Sequence, residues 1–77
     1  MLTNSTRAQW AAEAIGVFAS ITNMHGEDEQ TKAKDLVTDI VHFLRLTVGM
    51  THEQAASVIQ FAVDMAEMEM IEEPDDD

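Results

Sequence analysis

VIQFAVDMAEMEM, Val58 to Met70, is the stretch on which the fold turns. Wound as a helix at 3.6 residues per turn, it places Ser57, Gln60, Asp64 and Glu67 on a polar stripe roughly 80° wide. Two apolar ridges take up most of the remaining circumference. One is Val58, Phe61, Met65 and Met68; the other is Ile59, Val63, Ala66 and Met70, with Ala55 and Ala62 forming a shallow valley between them. Glu69 interrupts one end. A helix apolar over more than half its circumference is expected to be covered on more than one side. Two other helices of the same chain can cover one ridge, and the second then needs a surface from outside. Each large apolar side chain contributes about 1.5–3 kcal/mol when buried, so four left in water is a costly arrangement. A symmetric dimer closes such a patch on itself, and methionine adapts to irregular contacts. The candidate interface is therefore Val58, Phe61, Met65 and Met68. The alternatives are a three-helix bundle that buries both ridges within one chain, and a patch kept for a different protein.

Upstream, THEQ (Thr51 to Gln54) matches a capping box, in which hydroxyl and amide side chains satisfy each other's backbone N–H groups. Gly49 just before it suits the left-handed residue that ends a helix. These signals predict a helix from His52 to about Ile71, joined by a tight turn to the helix before it. That second helix is expected over 29–48. Leu36, Val37, Ile40, Val41, Phe43, Leu44 and Val48 fall on one arc of it, and Leu46 is the large misfit. Residues 23–30, NMHGEDEQ, read as a loop and a helix start. A first helix is expected over 7–22, with Ser5 or Thr6 as its N-cap and Trp10, Ala14, Val17, Phe18 and Ile21 on one stripe. Downstream, residues 72–77 read as a disordered acidic tail, since Pro74 does not continue a helix without cost. The expected fold is all-α: a three-helix unit over 1–71 with a tight helix 2–helix 3 hairpin, assembling as a homodimeric helical bundle.

Seventy-seven residues support one domain, and so small a core gains from a partner subunit. The absence of cysteine excludes disulfides and thiolate metal sites. Of the net charge of −11, residues 67–77 carry −7, against −4 on the preceding 66 residues. With only four basic residues, direct nucleic-acid binding is not expected, nor is binding to an anionic membrane. The longest uncharged run, Ala14 to Met24, is far shorter than the roughly 20 residues that cross a bilayer. No targeting segment is evident, so a cytoplasmic location is expected. Partners of the right charge are a second copy of the chain, joined through uncharged surface, and a host protein with a basic surface.

Asp35, Asp39 and His42 share one side of the second helix at i, i+4 and i+7. An acid three residues before a histidine is the spacing of carboxylate-bridged metal bundles, but this set sits opposite the apolar arc and faces water. A metal-binding bundle using Asp39 and His42 is the lesser reading, and the expectation is no metal and no cofactor. His25 and His52 read as surface residues. No order of nucleophile and base or phosphate-binding glycine loop appears, so no enzymatic activity is expected.

The segment KDLVTDIVHFLRL, followed by GMTHEQAASVIQFAVDMAEME, resembles a loose class of small acidic helical proteins from phages and plasmids. The matching positions are Asp35, Leu36, Asp39, Ile40, Val41 and His42, then Ala55, Ala62, Met65 and Glu67. The resemblance covers the second half of the chain and implies a mobile-element origin, with no activity attached. The leading reading is a non-enzymatic protein-interaction module that binds a host protein through its acidic or Met-rich surface. The alternative is a self-associating structural or regulatory dimer.

Overall fold

The computed structural model describes residues 3–72. Among them are three α-helices and no strand: α1 (Asn4–Thr22), α2 (Glu29–Phe43) and α3 (His52–Glu72). A five-residue π-helical turn, Leu44–Val48, prolongs α2.

Each boundary has a local cause. Thr3, rather than Ser5 or Thr6, caps α1, its side chain accepting from the Thr6 N–H at 3.2 Å. The earlier start brings Asn4 and Arg7 into the first turns, where both reach α3. Asn23 ends α1 in the left-handed region (φ 59°), donating its N–H to the Ala19 carbonyl. Asp28 caps α2 by accepting from the Thr31 N–H at 2.8 Å. That bond holds the Asp28 carboxyl below its ordinary value of 3.8. The second helix leaves the expected α geometry in its last turn, where the π turn closes on Gly49 at φ 92°. There the N–H groups of Gly49 and Met50 both reach the Leu44 carbonyl. The capping box forms as read: Gln54 N–H to Thr51 Oγ1 is 3.1 Å, and Thr51 N–H to Gln54 Oε1 is 3.0 Å. Glu72, expected in the tail, is the last residue of α3. The helix can run this far because Pro74 restricts only the residue before it. The rest of the expected tail, 73–77, lies outside the described residues.

The way the helices meet excludes a simple up-down-up bundle. In such a bundle α1 and α3 run parallel, and their first turns lie together. Here the first turns of α1 meet the last turns of α3: Asn4 Nδ2 donates to the Glu69 carbonyl at 3.0 Å, and Arg7 Nη1 lies 2.6 Å from Glu69 Oε2. With short connections joining α1 to α2 and α2 to α3, the helices follow one another head to tail around a three-sided frame. The frame is flat, with extents of 37 × 31 × 18 Å.

Burial follows from this shape. Among the described residues only Thr3, Ala19 and Ala55 are buried, each within about a turn of a helix end and so at a corner of the frame. Among the same residues fifteen large apolar side chains are exposed. The chain exposes 5858 Å², whereas a folded monomer of 8.6 kDa exposes about 4,700 Å². Its radius of gyration is 14.0 Å, against about 11.5 Å for a compact chain of this length. The three-helix bundle that buries both ridges of α3 within one chain is thus not the structure formed.

Candidate interaction surface

On α3 the side that turns toward the rest of the chain combines the valley with part of the second ridge. Ala55, Ile59, Ala62, Ala66 and Glu69 follow one another at spacings of four, three, four and three. Ala55 is fully buried and Ile59 half-buried, while Ala66 and Glu69 line a shallow cleft against Asn4, Arg7 and Ala8 of α1. Small side chains allow helices to approach closely where the frame closes at its corners. Between the corners nothing covers the seam, and Ala62 at its middle is exposed.

The first ridge is left open. Val58, Phe61, Met65 and Met68 are all exposed, Phe61 at 68% and Met65 at 60%. The second ridge is mixed: Ile59 is half-buried, Met70 reaches the cleft, and Val63 is exposed.

Helix α1 shows the same division, which the sequence reading missed. Its contact side is Asn4, Arg7, Ala8, Ile15, Phe18 and Ala19, all buried, half-buried or lining the cleft. The expected core stripe instead points outward at Trp10, Ala14, Val17 and Ile21, with Ile21 78% exposed. The available signal was the set of alanines at 8, 11, 12 and 19, which suits a close crossing better than a packed core.

The two outward seams come up on one side of the frame. On α1 and on α3 alike, the seam stands roughly a third of a turn from the contact side, in the same rotational sense at 100° per residue. Because the helices circulate head to tail, the inward direction lies on the same hand of each as the chain travels. Equal rotation from it then reaches the same broad face. Opposite the contact sides, along the outer edges, lie Gln9 and Glu13 of α1 and Gln60, Asp64 and Glu67 of α3. Along α1 and α3 the frame therefore has polar edges and an apolar face.

Ion pairing within the frame is modest. The Arg7–Glu69 pair is about one-third exposed at both ends, and Glu29–Lys32 at 3.0 Å and Lys34–Asp35 at 3.3 Å are local pairs on α2. Asp39 and His42 are exposed, and among the described residues no group of three or more His, Cys, Asp or Glu is placed to hold a metal ion. Among the same residues no helix is long and apolar enough to cross a membrane.

No family model, curated protein or solved structure matches this chain.

Proposed function

We propose that the chain is a non-enzymatic protein-interaction module whose apolar face is covered by another polypeptide. One observation carries this reading: the seams Trp10–Ala14–Val17–Ile21 and Val58–Phe61–Met65–Met68 lie open on a chain that exposes about 1,150 Å² more than a monomer of its mass. Large exposed apolar patches mark interaction sites. The three- and four-residue spacing of both seams is that of helix-on-helix packing. Carboxylates on the outer edges stay in water when the face is covered, and they suit a partner with a basic surface, such as a host protein bound by a phage or plasmid product.

An apolar-surface dye combined with solution mass tests the reading. Either a stable assembly or a dye-binding monomer is expected. A strict monomer that binds no dye would mean the face is closed within one chain, and would sink the proposal.

A further inference from the structure

We infer that the occupant of the apolar face is a second copy of this chain, stacked broad face to broad face. This rests on the reading above and goes further, to the identity of the partner. Area decides between face and edge. If each copy covers its excess of about 1,150 Å², the pair buries about 2,300 Å², the range of obligate homodimers. A frame of 37 × 31 × 18 Å offers about 1,100 Å² on its broad face but at most about 670 Å² on an edge, so only the face is large enough.

Size points the same way. A compact body of twice 77 residues has a radius of gyration of about 15 Å, and a single chain already has 14.0 Å. Two copies reach that value only with their centres on the order of 10 Å apart, which is one helix-packing distance. A pair that compact would settle helices of one frame into the open middle of the other, over Ala62, whereas frames 18 Å thick that stack without interlocking stay within about 17 Å. A two-fold axis brings both seams of each copy into contact at once and closes the assembly. Charge opposes it only across a distance, because the polar edges stay outside and neither seam carries a charged residue.

The test uses the full chain. Light scattering across a wide dilution range should give twice 8.6 kDa. Small-angle scattering of that species should give a radius of gyration of about 15–17 Å; edge-to-edge pairing of the same frames gives more than about 20 Å and overturns the inference. Because the chain has no cysteine, single-cysteine variants report the buried side directly. Thiol labelling of Val17→Cys and Phe61→Cys should be roughly tenfold or more slower than that of Glu13→Cys and Gln60→Cys on the edges. Equal rates at face and edge positions in a dimer also overturn it. A strict monomer, or any other stoichiometry, overturns the second copy as occupant. In the monomer case dye binding leaves the interaction module standing, whereas no dye binding removes both. Salt distinguishes the occupants further: screening should tighten the pairing of two chains that each carry −11, and would weaken a complex with a basic protein.

Discussion

The two long sides of α3 differ by a third of a turn and serve opposite ends. The inner seam is built from Ala55, Ala62 and Ala66 and touches the rest of the chain only near the corners of the frame. The outer seam carries Phe61, Met65 and Met68 and is left exposed. Small residues here shape one chain, and the large residues are left exposed, as the proposed pairing requires. A chain with so few buried side chains has little to hold it folded alone, so folding and association should be coupled.

The largest effect should come from the outer seam. Phe61→Asp removes about 1.5–3 kcal/mol of apolar burial from each copy and adds a charge that must be desolvated. Helicity at micromolar concentration should fall together with the assembly, and the thermal midpoint of the unaltered chain should rise with protein concentration. A concentration-independent midpoint would break the comparison, because it would mean that the inner contacts alone support the fold.

The inner seam makes a subtler contrast between two alanines of equivalent register. Ala55 is fully buried at a corner, so Ala55→Leu should cost about 1–3 kcal/mol by overpacking, seen as a lower denaturation midpoint. Ala62 is exposed in the single chain, and Ala62→Leu meets nothing there. If Ala62→Leu destabilises as much as Ala55→Leu, the middle of the frame is filled by the second copy, which sharpens the picture of interdigitated frames.

The capping box belongs to neither side, and its contribution should be independent of association. Thr51→Ala removes the acceptor for the Gln54 N–H and should cost about 1 kcal/mol of stability. The shift should be the same at high and low protein concentration once the dimer term is accounted for.

What was legible in the sequence divides along physical lines. Local signals were readable because they act within a few residues: the Thr51–Gln54 box, the left-handed Gly49 and the helical periods all appear in the fold. Even so, the cap of α1 fell at Thr3, because Asn4 and Arg7 have partners 65 and 62 residues away. The tertiary arrangement was not legible. Periodicity marks Trp10, Val17 and Ile21 as one apolar stripe but does not say whether that stripe meets its own chain or another. The valley of α3 likewise read as a gap between two ridges, whereas Ala55 in it, with Ile59 and Ala66 of the second ridge, forms the side of closest approach. Asp39 and His42 share a helix side as read, and among the described residues no group of three or more His, Cys, Asp or Glu is placed to hold a metal ion there.

The smallest expected effect tests whether charge works on the frame or only on the assembly. Asp28 accepts the Thr31 N–H, and its carboxyl is held below the ordinary value of 3.8, first by that backbone bond and then by its bond to the Thr31 side chain. A carboxyl whose value is lowered on folding contributes stability that is fully present above the unfolded value and is lost as pH falls through the folded one. Below about pH 4, then, the Asp28 cap should weaken slightly. Over the same range the fifteen carboxylates of each copy lose charge, which relaxes repulsion between two chains at −11 and favours pairing. The two effects have opposite signs and separate cleanly in Asp28→Asn, which keeps an acceptor for Thr31 but cannot titrate. If helix stability of that variant falls with acid as steeply as in the unaltered chain, the loss arises elsewhere than at this cap. If instead its dimer tightens with acid while its helices hold, the repulsion lies between the copies and the apolar face works against it at neutral pH.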